Sequence, residues 1–214
     1  MIDKTRKIHE KGSDTRNRIR GVLFDMDGTL TVPGALDFAA IKREIGCPPD
    51  IPILEYIESR PEWERPSLFA VLERHETEAA ENSVPNKGAR ACLKALRDKG
   101  VSLGIITRNS LCSVEKVLGK FDGICKEDFS AIITREMALP KPHPQGVYMA
   151  AEKMGVHLQE LLVVGDYRFD IMAGKAAGAK TALLINEQES GESPNGPVAD
   201  LKIGDLRELL NYVG

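Results

Sequence analysis

Residues 21–30 read Gly21-Val22-Leu23-Phe24-Asp25-Met26-Asp27-Gly28-Thr29-Leu30: an apolar run that ends in two aspartates one residue apart, followed at once by a glycine. A short apolar run bounded by turn residues predicts a buried strand. Side chains alternate faces along a strand, so Asp25 and Asp27 project the same way and Met26 the other. Gly28 lets the backbone turn where a residue with a Cβ would be strained. Two carboxylates held this close repel each other, and such a pair persists when a cation neutralises it or one member keeps its proton. A simple turn start also explains Asp-x-Asp-Gly. The choice between turn and site therefore rests on what the rest of the chain brings to the ends of other strands.

From residue 87 onward helical patterns alternate with short apolar runs. A helix is predicted over residues 87–99, stopped by Gly100. Strands are predicted over 101–106, 130–133, 161–165 and 181–185. Further helices begin near Ser110, after Pro142-His143-Pro144, and after the fourth strand. This alternation predicts an α/β fold, a Rossmann-like parallel sheet with helices on both faces. Ligands of such sheets bind at the carboxyl ends of the strands. Asp25, Thr107 and Asp166 each follow a predicted strand directly, and Lys141 lies in the loop after the third. Residues 35–86 interrupt the alternation with a polar, helix-forming stretch punctuated by Pro48, Pro49, Pro52, Pro61, Pro66 and Pro85. The expected organisation is a core of residues 21–34 and 87–214 and a small α-helical insert at 35–86. A polar, mostly basic N-terminal arm at 1–20 is expected to be flexible.

A chain of 214 residues suits one domain with an insertion, or one large and one small domain. At 42% hydrophobic and 29% charged residues the composition is that of a soluble globular protein. A net charge of −3 supplies no general drive toward nucleic acid or anionic membrane, and no apolar stretch is long enough to span a bilayer. Cys47, Cys92, Cys112 and Cys125 are scattered, and His9, His75, His143 and His157 do not cluster with them. Reduced thiols, no zinc and a cytoplasmic location are expected. The basic arm leaves organellar targeting open, although Asp3, Glu10 and Asp14 are unusual in a transit peptide.

The stretch from Phe24 to Leu30 closely resembles the first motif of phosphatases in the haloacid dehalogenase superfamily. Later motifs follow in order, so the resemblance spans about residues 21–184. Ile105-Ile106-Thr107-Arg108-Asn109 resembles the second motif, in which a Thr or Ser hydroxyl binds the transferring phosphoryl group; by itself Thr107 also reads as a helix cap before Ser110. Arg108 departs from the small or amide residue often found there and reads either as a substrate-facing cation or as a solvent-facing one. Lys141-Pro142 resembles the third motif and sits in an otherwise uncharged loop stiffened by Pro140, Pro142 and Pro144. Gly165-Asp166, with Asp170 four residues after the first aspartate, resembles the fourth. Either aspartate could cap the next helix, and both could ligate magnesium through oxygen.

The resemblance implies a magnesium-dependent phosphatase that hydrolyses a small phosphomonoester, phosphoglycolate-like or sugar-phosphate-like, through an aspartyl-phosphate. It implies Asp25 as nucleophile and Asp27 as general acid/base. Thr107, Arg108 and Lys141 are the expected phosphate-binding residues. Asp25, Asp27, Asp166 and Asp170 are the expected Mg2+ site, with Asp27 contributing its backbone carbonyl. Four ionised aspartates carry four negative charges; Mg2+ and Lys141 cancel three, and a proton on Asp27 removes the fourth. A phosphoglucomutase-like phosphotransferase would use the same residues. A receiver-like signalling domain or a non-catalytic phosphate-binding protein is the rival from another class, disfavoured by the insert and by the retained Asp27. The insert occupies the position of the small helical caps of this superfamily and is expected to cover the mouth of the site. Arg43, Arg60, Arg65 and Arg74 are candidate contacts for an acidic substrate, and Trp63 is expected in the cap core. The expected partner is a small phosphorylated metabolite, with no nucleic acid and no membrane, and the expected assembly is a monomer or weak homodimer.

Overall fold

The computed structural model describes residues 18–186 and 198–213. β1 (Gly21–Phe24) lies inside a six-stranded parallel sheet with β2 (Ser102–Ile106), β3 (Ala131–Ile133), β4 (Leu161–Gly165), β5 (Lys180–Leu184) and β6 (Leu201–Ile203). The strand order is β3-β2-β1-β4-β5-β6. The chain winds outward from β1 to β3, then crosses back to place β4 on the other side of β1. The order thus reverses between β1 and β4, and a crevice for ligands opens beyond their carboxyl ends. β6 was not among the expected strands, because a three-residue run with lysine at its centre carries too little periodicity to stand out.

Helices cover both faces, and the strands divide their side chains between them. Val22, Phe24, Leu103, Ile105, Leu162 and Val164 pack with residues of α4 (Ala89–Asp98) and α5 (Leu111–Leu118). Leu23, Ile106, Leu161 and Val163 pack with residues of α6 (Gln145–Met154) and α7 (Arg168–Ala177). Burial on both sides explains why these runs are continuously apolar. Met26 joins the face of Val22 and Phe24, so the alternation carries through Asp25 and turns the carboxylate away from that core. Gly104 is required by space: a Cβ there would lie 2.8 Å from Met154 Sδ and 2.9 Å from Leu23 Cδ1.

The ordered core begins earlier than Gly21. Residues 1–17 of the expected arm lie outside the described residues, but Ile19 is buried and bridges to Val213, while Arg20 N–H donates to Glu160 O at 2.9 Å. One apolar residue between two arginines gives no periodic signal, yet it lengthens the line of β1. The four cysteines are free, and no described helix is long and apolar enough to cross a membrane.

The insert comprises α1 (Phe38–Ile45), α2 (Ile53–Ser59) and α3 (Arg65–Asn82). Asp37 starts α1 by accepting from Ala40 N–H at 2.8 Å, and Gly46 ends it at φ 70°. These helices bury a separate apolar cluster that includes Leu36, Ile41, Ile45, Ile53, Ile57 and Leu72. Trp63, expected in that cluster, is instead 79% exposed. It sits in the turn between α2 and α3, where no helical face carries it inward. The two ends of the insert leave the core side by side: Thr31 bridges to Pro85, and Val32 N–H donates to Val84 O at 2.9 Å.

Ion pairs tie the insert to the core with the acid always on the insert: Glu55 to Arg108, Glu73 and Glu76 to Arg135, and Glu81 to Lys116. Glu76 is the buried member. It accepts from Arg135 Nη1 and, at 3.3 Å, from Ser110 N–H at the start of α5. Burial pushes its carboxyl upward and Arg135 opposes that push. Removing one partner of such a pair strands a charge, whereas replacing both with apolar groups does not. We expect Glu76→Ala to lose about 3 kcal/mol of stability and the Glu76→Leu/Arg135→Met pair to recover most of it. Urea unfolding of the three proteins measures this, and equal losses in single and double variants would contradict it.

Candidate active site

Asp25 is the first residue past β1, and its N–H donates to Val164 O on β4 at 2.8 Å. A wide turn follows, closed by Thr31 N–H on Met26 O at 3.0 Å. Gly28 adopts φ 80° in that turn, and a Cβ there would lie 2.0 Å from Asp166 Oδ2. Only glycine lets the carboxylate that follows β4 come against the β1 loop. Gly165 serves Asp170 likewise, since a Cβ there would lie 2.2 Å from Asp170 Cγ. Each Asp-Gly or Gly-Asp pair thus combines a carboxylate with the space a carboxylate needs.

Lys141 fills the centre. Its Nζ donates to Asp25 Oδ1 at 2.5 Å, Asp170 Oδ1 at 2.6 Å and Ile106 O at 3.1 Å, so all three ammonium hydrogens are used. The Lys141–Pro142 peptide is cis. One carboxylate oxygen from each of Asp25, Asp166 and Asp170 lies within 4.8 Å of the other two. Thr29 Oγ1 donates to Asp166 Oδ1 at 3.2 Å, and Tyr167 N–H donates to Asp170 Oδ2 at 3.2 Å. Close oxygen-only donors of this kind suit a hard divalent cation.

The Asp27 carboxylate lies outside that cluster, where it accepts from Asn109 Nδ2 at 2.6 Å. Asn109 is itself placed by its N–H, which donates to Thr107 Oγ1 at 3.1 Å, and Thr107 N–H donates to Ile133 O at 2.9 Å. The carbonyl of Gly28 accepts from Asn186 Nδ2 at 2.8 Å and Asn86 Nδ2 at 3.2 Å, which fixes the turn from behind.

Charge and burial act against each other throughout. Burial pushes Asp25 well above the usual carboxylate range, with Lys141 opposing. Burial also raises Asp27 to about 6 against the Asn109 hydrogen bond. Burial, then the neighbouring Asp170, raises Asp166 to about 7. For Lys141 burial works downward, but Asp170 and Asp25 outweigh it and hold the ammonium above its ordinary value.

Of the residues singled out from sequence, Asp25, Lys141, Asp166 and Asp170 meet directly. Thr107 lies buried at the same sheet edge, and the cap of α5 is Ser110, which accepts from Ser113 N–H at 3.3 Å. Arg108 is partly buried and held on both sides: it donates to Lys141 O at 2.5 Å and to Glu55 Oε2 at 2.6 Å. Three of the four candidate insert arginines are occupied locally. Arg60 pairs with Glu64, Arg74 with Glu44, Arg65 donates to Arg60 O, and Arg43 is exposed. Sequence reasoning missed Asn109, Asn86, Asn186 and Glu55 as site neighbours. Asn109 lies inside the second motif, but an amide after a strand reads as a turn residue, and its bond to Asp27 depends on the β1–β2 pairing.

Comparison with known proteins places this geometry in context. The description haloacid dehalogenase-like hydrolase matches residues 19–178. An uncharacterized hydrolase of Saccharomyces cerevisiae is 31% identical, with 95% of this chain and 94% of that protein covered. A phosphoglycolate phosphatase of Escherichia coli O157:H7 is 29% identical, with 92% and 93% covered. A solved hydrolase of subfamily IA from Geobacter sulfurreducens matches with a TM-score of 0.63 at 23% identity, over 91% of this chain and 100% of that one.

Two outcomes follow from the packed carboxylates. Asp27 and Asp166 titrate at about 6 and about 7 in the folded chain, against roughly 4 when unfolded. Between those values the folded state binds more protons, so stability without metal falls as pH rises from about 4 to about 7, and Asp25, raised in the same direction, adds to the fall. In EDTA at pH 7.5, Asp166→Asn is expected to raise stability by about 2 kcal/mol, the gain vanishing near pH 4; a pH-independent difference in thermal melts would refute this. Gly28→Ala, strained in φ and overlapping Asp166, is expected to cost about 1–3 kcal/mol by urea unfolding and to weaken cation binding, read by calorimetry. Unchanged stability and cation affinity would contradict it.

Proposed function

The chain belongs to the haloacid dehalogenase-like hydrolase family, and from that premise we propose that it is a magnesium-dependent phosphatase acting on a small phosphomonoester through an aspartyl-phosphate. One observation carries this reading: Lys141 holds Asp25 and Asp170 together beside Asp166, while Asp27 sits apart on Asn109. Burial favours a proton on Asp27 and raises Asp25 as well, so an ionised nucleophile depends on the positive charge beside Asp25, from Lys141 and from the cation that Asp25, Asp166 and Asp170 would hold.

Asp25 attacks phosphorus, a P–O bond forms to its carboxylate, and the bond to the leaving oxygen breaks. Asp27, oriented by Asn109, gives its proton to that oxygen. Water then attacks the phosphoryl group, its proton passes to Asp27, and the Asp25–phosphorus bond breaks to release inorganic phosphate. Lys141 keeps Asp25 aimed and offsets charge on the incoming phosphate. Thr107, at the same strand end, donates its hydroxyl to a phosphoryl oxygen. Asp25, Asp166 and Asp170 would hold Mg2+ together with the Asp27 backbone carbonyl that the family resemblance implies. When bound, the ion supplies positive charge that lessens repulsion between carboxylate and phosphate. The relative named a phosphoglycolate phosphatase supports a substrate of that size.

Purified protein is expected to release phosphate from p-nitrophenyl phosphate with MgCl2 and to stop in EDTA. Asp25→Asn should abolish turnover and the acid-stable trapping of labelled phosphate on the protein. Asp27→Asn should slow turnover by roughly 10²–10⁴-fold. Retention of activity by Asp25→Asn would overturn the mechanism.

A further inference from the structure

Two guanidinium groups crowd one ring at the edge of the site. Arg108 lies 5.4 Å and Arg168 5.2 Å from the centroid of Phe169, which stands in sequence between Asp166 and Asp170. Tyr167 meets the same ring edge-on at 5.1 Å and also carries Arg168 at 5.8 Å. Arg108 has Thr107 and Asn109 on either side, and its Nη1 is fixed on the Lys141 carbonyl. The other Nη of Arg108 is held by a carboxylate of the insert: Glu55 Oε2 accepts from Arg108 Nη2 at 2.6 Å. Arg168 has no carboxylate partner among the described residues and is exposed.

The pair is built to be exchanged. The side chains of Arg108 and Glu55 are 22% and 37% exposed, and partly solvated pairs are weak. The insert does not depend on it for attachment, because the buried Glu76–Arg135 pair and the apolar contacts of α3 remain. A planar guanidinium already held by a carbonyl and a ring loses little freedom when it binds a carboxylate or phosphate.

We propose that Arg108, stacked on Phe169, receives a second anionic group on the leaving part of the substrate, a carboxylate or a further phosphate, and that Glu55 is the counter-ion this group displaces. The inference rests on the phosphatase reading and narrows it to substrates charged at both ends. A neutral leaving group leaves Glu55 on Arg108 and gains nothing there.

The test compares 2-phosphoglycolate and ethane-1,2-diol bisphosphate, phosphomonoesters with a carboxylate or a second phosphate at the far end, with 2-hydroxyethyl phosphate, which carries a neutral end of similar size. The readout is the ratio of kcat/KM for each charged substrate to that for the neutral one, in the full chain with MgCl2. We expect a wild-type ratio of about tenfold or more for at least one charged substrate. Arg108→Gln should lower that ratio by about tenfold, mainly through KM, and Glu55→Gln should raise it severalfold. Opposite movement by the two members of one ion pair is the signature, since a purely structural pair shifts both variants the same way. Which charged substrate shows the effect assigns the group as carboxylate or phosphate. Hydrolysis of the neutral ester with ratios near one, or parallel effects of the two variants, overturns the inference alone. Failure on all three while p-nitrophenyl phosphate is cleaved also overturns this inference alone, whereas failure on p-nitrophenyl phosphate as well overturns the phosphatase reading and this inference with it.

Discussion

A single buried ammonium organises this protein. Lys141 binds Asp25 and Asp170 at once, with its third hydrogen on the end of β2. Without it, carboxylates from the ends of β1 and β4 would face one another in a poorly solvated crevice and would take up protons. The parallel strand order brings those two ends together, and Gly28 and Gly165 supply the room. Two of the four acidic groups are held by one cation that cannot leave without stranding both charges, while Thr29 holds Asp166 and Asn109 holds Asp27.

Much of this was legible in the chain, for a physical reason. Strands buried on both faces appear as unbroken apolar runs, and residues just past them fall at one sheet edge whatever the details of packing. Asp25, Thr107 and Asp166 could therefore be located from the ends of their strands, and Lys141 from its loop. What could not be read was partnership across space. Asn109 reaches Asp27 only because β2 lies beside β1, and Glu55 reaches Arg108 only because α2 leans over the core. Trp63 misled because tryptophan is a large apolar residue, while its position in a proline-bounded turn gave it no helical face to share. Ile19 and β6 were too short to show a period.

The insert is fastened by two kinds of contact that differ in character. Glu76 and Arg135 are sealed from solvent and link α3 to the start of α5, next to the segment that carries Thr107 and Asn109. Glu55 and Arg108 stay partly wet at the rim. The sealed pair fixes α3 against the core, and the wet pair leaves its charges within reach of solvent. Both place the acid on the insert and the base on the core, so the seam between them is polarised along its length.

The chain leaves the core at Thr31 and returns beside it at Pro85, joined there as neighbours in a short ladder. Topologically the whole intervening stretch takes the place of one surface loop, and the sheet register beneath it is indifferent to its length. Recombination at those two points would graft a different roof onto the same floor. Exchange of that stretch alters what lies over the crevice while the strand ends, and the side chains they carry, keep their places.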